Sequence, residues 1–205
     1  MTDYDVAATW AGLTSSIVSD CLGRFRVMEP AIADLVGVPL VGPAFTVQVV
    51  PGENGTIHRA VAAAPMDAVL VIDAGGGNER AVWGELLTVA AQTRGLRGAV
   101  IDGAVRDLAA IHRRAFPLFA RGAAGAGPHK GWPGLIGEVI QCGRVVVAPR
   151  DLVIADAGGV VVVPRARVAQ THREAVERAT IEEDWLQRIE GGESTLDILG
   201  LRSDP

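Results

Sequence analysis

Between residues 44 and 122 the chain alternates short runs of β-branched residues with stretches whose apolar residues recur at helical spacing. The runs AFTVQVV (44–50), AVLVIDA (68–74), GAVIDG (98–103) and PLFARG (117–122) read as strands. A strand with one wet face alternates apolar and polar residues, and the middle two runs do not. Continuous Val and Ile suit parallel strands covered by helices on both faces. The spacing predicts crossover helices at 56–64, 81–94 and 106–114. Upstream, Val6, Trp10, Leu13 and Ile17 predict a helix over 4–22, bent or capped at Ser15 or Ser16, and a loop follows around Glu29-Pro30. Downstream, RVVVAP (144–149), DLVIAD (151–156) and GVVVVP (159–164) are close enough to pair antiparallel through turns, and a charged helix closes the chain at about 166–190. The pattern is α/β, a mixed sheet with helices on both faces. We read 1–205 as one domain, without internal repeats, in which the glycine-rich stretch 122–137 loops over a site.

Several functional classes fall away on composition and motif. A net charge of −5 argues against a protein that lives on nucleic acid. No apolar run reaches the roughly 18 residues of a membrane span. The N-terminal residues MTDYDVAATWAGL show no basic start and no apolar signal core, so a cytoplasmic protein is expected. Cys21 and Cys142 make no disulfide framework and read as free thiols. GGGNERA lacks the third glycine of a dinucleotide fingerprint, and no phosphate-loop, HExxH or GxSxG pattern occurs. The only lysine, Lys130, sits in GAGPHKGWPG, a poor place to desolvate an amine for Schiff-base chemistry. If the protein handles carbonyl substrates, a metal is the better electron sink.

Ligands of open α/β sheets bind beyond the carboxyl ends of the parallel strands. Two such ends, IDAGGG (72–77) and IDGAVRDL (101–108), lie one strand–helix unit apart. The second carries Asp102, Arg106 and Asp107 at a strand end and helix start. A helix N-terminus favours anions, Arg106 offers a planar fork for a carboxylate, and Asp107 offers the hard oxygen that suits Mg²⁺ or Mn²⁺. A helix starting at Gly84 would turn the amides of Gly84, Glu85, Leu86 and Leu87 toward a carboxylate, with Glu85 as a second acid near the metal. That combination is a 2-oxo-acid site; a strand-end aspartate, a helix cap and a surface ion pair are the plain alternative. His58 follows a turn and reads chiefly as structural, and His112 as part of a solvated helix face. His129 and Lys130 are placed to close over a substrate or to remain in a mobile loop. Glu182, Glu183 and Asp184 read as an exposed acidic helix turn.

The run GAVIDGAVRDLAAI followed by FPLFARG resembles the signature of the RraA-like family, which includes 4-hydroxy-4-methyl-2-oxoglutarate aldolases and regulators of ribonuclease E activity. The resemblance extends through TSSIVSDCLGR, VGPAFTV, GTIHRAV, DAVLVIDAGG, GELL and IADAGGVVVVP, to about residue 190. It implies a swivelling β/β/α-type fold, a homotrimer or a dimer of trimers, and sites at subunit interfaces. It implies that the amides of Gly84 to Leu87, with Arg106, hold the pyruvyl part of a small 2-oxo acid. It assigns a divalent metal to Asp107, with Glu85 in its outer shell and Asp102 retained in the catalytic set. It brings an acid of a neighbouring subunit's C-terminal helix, Glu182 or Glu183, to the site. The activity implied is metal-dependent cleavage of 4-hydroxy-2-oxo-dicarboxylic acids to pyruvate, with oxaloacetate decarboxylation through the same enolate. The alternative within the family is a ribonuclease E regulator that binds without catalysis.

Overall fold

The structure, a computed structural model, describes residues 6–201. In chain order it runs through helices α1 (Val6–Thr9) and α2 (Ser15–Cys21), strands β1 (Ala33–Asp34) and β2 (Leu40–Gln48), α3 (Gly55–Ala63), β3 (Val69–Asp73), β4 (Ala81–Trp83) and α4 (Glu85–Thr93). Then come β5 (Gly98–Val105), α5 (Leu108–Arg113), β6 (Leu118–Ala123), β7 (Leu135–Ile136), β8 (Ile140–Cys142), β9 (Val145–Val147), β10 (Leu152–Asp156), β11 (Gly159–Val163), α6 (Val168–Glu190) and α7 (Thr195–Ile198). The mixed α/β class expected from the strand runs is what forms.

The β-branched runs at 69–73 and 98–105 are parallel neighbours, in register from Val69↔Gly98 to Asp73↔Asp102. Period-2 alternation sends their side chains to two different cores. Leu70, Ile72, Ala99 and Ile101 pack under α3, α4 and α5. Val69, Val71 and Val100 face the other way, onto β10, β11 and the β8–β9 hairpin. A third apolar cluster, with Trp10, Val18 and Ala175, seats α1, α2 and α6 on the outer face of β10 and β11.

Strand β2 joins the layers. Its first half, Leu40–Pro43, pairs antiparallel with β10, and its second half, Ala44–Gln48, pairs parallel with β3. At the far edge β1 pairs with β6, while Met28 N–H donates to Val160 O (2.8 Å) and Val162 N–H to Arg26 O (3.0 Å). Segment 26–34 therefore ties the two ends of the sheet together, and the sheet curls almost closed around its inner core.

Several boundaries differ from the sequence reading, β2 beginning at Leu40 and β5 ending at Val105 among them, and three have a local cause. Residues 6–21 form two helices, because the chain turns at Gly12 with φ +83° and restarts where the Thr14 hydroxyl accepts the Ile17 N–H. Positions 4 and 5 of the expected helix lie outside the described residues. Ala81–Trp83 is a strand, because all three residues are buried against the end of β5 and no one-sided helix buries three in a row. Helix α5 begins only at Leu108, because Asp107 takes a left-handed conformation at φ +60°.

Helix α6 is 23 residues long, yet only Thr171 and Ala175 are buried on it. Leu186 and Ile189 are exposed near its end, as are Leu196 and Leu199 around α7. Among the described residues, no helix is long and apolar enough to cross a membrane.

Gly42 lies where β2 passes between the layers. A Cβ there would sit 2.9 Å from the Asp67 carbonyl oxygen and 2.9 Å from Val69 Cγ2. Gly42→Ala is expected to cost about 1–3 kcal/mol, the usual range for overpacking. Urea unfolding should show a lower midpoint with an unchanged slope; an unchanged midpoint would mean that β2 yields freely at the crossing.

Candidate active site

Beyond Asp102 the place of β3 beside β5 is taken by β4, with Ala81 opposite Ala104 and Trp83 opposite Val105. The Arg106 N–H donates to the Trp83 carbonyl at 2.9 Å, which completes the pairing. Trp83 is held from its other side: its indole N–H donates to Thr88 Oγ1 at 2.8 Å and its ring stacks on Phe116. The chain then leaves β4 through Gly84, fully extended, and starts α4 at Glu85. A Cβ on Gly84 would lie 2.7 Å from Asp107 Oδ2 and 3.1 Å from Arg106 Cγ. Glycine is what lets the two loops touch.

Asp107 stands before α5, but its side chain makes no capping bond to that helix. Its left-handed backbone turns the carboxylate toward α4, where Oδ2 accepts the Glu85 N–H at 3.2 Å and lies 3.7 Å from Arg106 Nε. Such a conformation costs a non-glycine residue on the order of 1 kcal/mol and recurs at functional sites. Asp107 is 45% exposed and Arg106 43%, so both keep capacity for a ligand. The N–H groups of Leu86 and Leu87, in the first turn of α4, have no acceptor within the helix and carry the positive end of its dipole.

The facing wall comes from α3 and the glycine-rich loop. Asn54 precedes α3, is 5% exposed, and donates from Nδ2 to Val82 O at 3.1 Å. Its Oδ1 is buried without a partner. His58, one turn on, borders the same cleft. Burial, and then the Lys130 ammonium, hold its imidazole below the usual histidine value, while Glu53 pulls the other way. The glycine-rich loop is fastened rather than free: Ala81 N–H donates to Ala126 O (2.9 Å), His129 N–H to Gly52 O (2.7 Å) and Asn54 N–H to His129 O (3.1 Å). The Arg106 guanidinium passes close to Gly127, where an added Cβ would lie 2.9 Å from Nη1 and make the side chain shift. These walls bound a small cleft that is partly open to solvent.

Gly84, Glu85, Leu86, Leu87, Arg106 and Asp107 all line this one cleft. Asp102 is not brought to it. Strand alternation puts Asp102 on the face of Val100, where its carboxylate accepts from Arg121 and from the Gly143 N–H at 2.8 Å. Glu29 accepts from Nη2 of the same guanidinium. His112 is exposed on α5, and Glu182 accepts from Arg178 at 2.7 Å within α6, away from the cleft of its own chain. Asn54 had no signal in the sequence beyond a turn-like ENG. Its buried, orphaned oxygen is visible only in three dimensions.

No three His, Cys, Asp or Glu side chains gather into a metal cage among the described residues. Asp107, whose carboxylate also meets the Glu85 N–H, offers hard oxygen of the kind that would suit Mg²⁺ or Mn²⁺, ions held by one or two carboxylates with water and substrate oxygens for the rest. The residues present fit such an ion.

A family model described as RraA-like, Aldolase/RraA, matches residues 15–162. A Halalkalibacterium halodurans protein provisionally named 4-hydroxy-4-methyl-2-oxoglutarate aldolase is 36% identical over 187 residues, 86% of this chain and 89% of its own. An uncharacterized protein from Pseudomonas syringae pv. tomato superposes with a TM-score of 0.84 at 27% identity, covering 96% of this chain and 93% of that one. The RNA-processing inhibitor RraA from Thermus thermophilis shares the fold, with a TM-score of 0.68 at 24% identity over 73% of this chain and 92% of its own.

Replacing Lys130 by alanine removes one of the two influences that hold the His58 imidazole low. His58 should then titrate at higher pH than in the wild type, followed by its ring protons in NMR. An unchanged or lower midpoint would show that the ammonium does not act on it.

Proposed function

The chain belongs to the RraA-like family, and on that premise we propose that its cleft is the active site of a divalent-metal-dependent carbon–carbon lyase. Its substrates are small 4-hydroxy-2-oxo-dicarboxylic acids such as 4-hydroxy-4-methyl-2-oxoglutarate, and oxaloacetate. The observation that carries the reading is the convergence of Arg106, Asp107 and the first turn of α4 on one side of one cleft.

The chain's groups divide the work as follows. The amides of Leu86 and Leu87 receive the carboxylate next to the keto group. The Arg106 guanidinium lies over the keto oxygen. Asp107, with Glu85 nearby, would hold a Mg²⁺ or Mn²⁺ ion, which would supply Lewis acidity toward that oxygen. Glu85 orients a water that removes the proton from the C4 hydroxyl. The C3–C4 bond breaks, its electron pair passes into pyruvate enolate, a 2-oxo acid departs, and the proton taken up by the water is returned to C3 to give pyruvate. Negative charge grows on the enolate oxygen, where Arg106 stabilises it more than in the ground state. Loss of CO₂ from oxaloacetate leads to the same enolate, so one site serves both reactions. On the facing wall the Lys130 ammonium suits the distal carboxylate. Asp102 acts at a distance in this scheme, fixing the end of β5 to the hairpin through Arg121 and Gly143. The projecting end of α6, with its exposed Leu186 and Ile189, is read as the arm that reaches a neighbouring copy in a trimer or dimer of trimers. There Glu182 or Glu183 adds an acid to the cleft.

The test is pyruvate release from oxaloacetate and from 4-hydroxy-4-methyl-2-oxoglutarate, with Mg²⁺ or Mn²⁺ and again with EDTA. Turnover that EDTA abolishes and added metal restores is expected. Arg106→Ala should lose at least ~100-fold in kcat/KM, as when a charged transition-state contact is removed. Near-normal activity of that variant would reject the assignment, and no turnover of either substrate by the metal-loaded wild type would point to binding without catalysis.

A further inference from the structure

We propose that Arg114 is a positioning residue for the reaction, acting through Glu85; the proposal rests on the function read above. Arg114 follows α5, outside the motif that identifies the cleft. Its main chain is anchored at the far end of α4, where the Gln92 side-chain amide donates to Arg114 O at 3.0 Å. Its own N–H donates to Ile111 O at 3.1 Å. From there the side chain reaches the first residue of α4. Nε and Nη2 both donate to Glu85 Oε1, at 3.3 and 3.2 Å.

The convergence on one oxygen is the informative part. A free Glu85 side chain would populate several rotamers at a helix start. Two N–H groups tether Oε1, which narrows the rotamers open to the carboxylate, and Oε2 takes no hydrogen bond from any described residue. Oε2 is thus the acceptor left for a water or hydroxyl in the cleft that Glu85 lines. Stability does not account for the pair: Arg114 is 38% exposed and Glu85 41%, and ion pairs that open to solvent contribute little to folding. What the arginine does for the protein is orient its neighbour.

The consequence is a loss of turnover without a loss of binding. Arg114→Met keeps the length of the side chain and removes the donors. It should lower kcat by ~10-fold, the lower end of what a partner behind a functional group is worth. KM, and the affinity for pyruvate measured by calorimetry with Mg²⁺ present, should stay at wild-type values. Arg114→Lys, which keeps one donor, should recover part of the loss. In a Glu85→Gln background the same Arg114→Met change should have little further effect, because the two residues act as one unit.

An Arg114→Met variant with wild-type kcat overturns the proposal. So does a fold-loss that is the same in the wild-type and Glu85→Gln backgrounds, or a weakened pyruvate affinity that matches the loss in turnover. If the wild-type chain turns over no 2-oxo acid, the functional reading falls and this inference with it. If the wild type is active and Arg114→Met equals it, only the positioning role falls.

Discussion

One backbone hydrogen bond, from Arg106 N–H to Trp83 O, sets the geometry on which the cleft depends. Beyond the point where β3 ends, it extends the β4–β5 ladder by one residue past Val105. Without β4 in that place the loop after residue 73 and the loop after residue 105 would be two separate strand ends. With it, the start of α4 is pressed against the start of α5, and Gly84 leaves room for the Asp107 carboxylate between them. A burial requirement thus becomes a functional one. Trp83 must be covered, its stacking on Phe116 and its bond to Thr88 cover it, and the chain emerging from it delivers Glu85 to Asp107.

The curled sheet gives that arrangement a rigid base. Because β2 belongs to both layers, movement of the β10–β11 layer relative to the parallel strands would break pairing on one side or the other. The Asp102–Arg121–Glu29 network works in the same direction from beneath. It ties the end of β5, β6 and the segment before β1 together just under the loops. A carboxylate buried at 7% exposure is tolerated there because a guanidinium and a backbone amide both donate to it.

Much of this was legible along the chain, and the reasons are local. Runs such as VLVID and GAVIDGAV carry so little polarity that only a doubly covered strand can use them. The helix expected from about residue 81 does form, although it begins only at Glu85. What escaped was set by distant partners. Ala81–Trp83 has helical spacing with its downstream neighbours, and only its burial against β5 makes it a strand. The direction in which Asp102 points follows from strand parity, but the partners that hold it, Arg121 and Gly143, are remote in sequence. Asn54 and Arg114 lie outside any recognisable spacing. Their meaning comes from an oxygen left without a donor and from two donors meeting on one oxygen.

Lys130 carries the only side-chain amine in the chain, and the fastened loop exposes it at the mouth of the cleft. Most proteins scatter lysines over their surface, so amine-directed reagents label them everywhere. Here, apart from the amino terminus, such a reagent meets one target. A fluorophore, a spin label or a bead linker attached by amine chemistry would report from the rim of the site itself, with no engineered cysteine. Immobilisation through amines would, by the same geometry, tend to block the entrance.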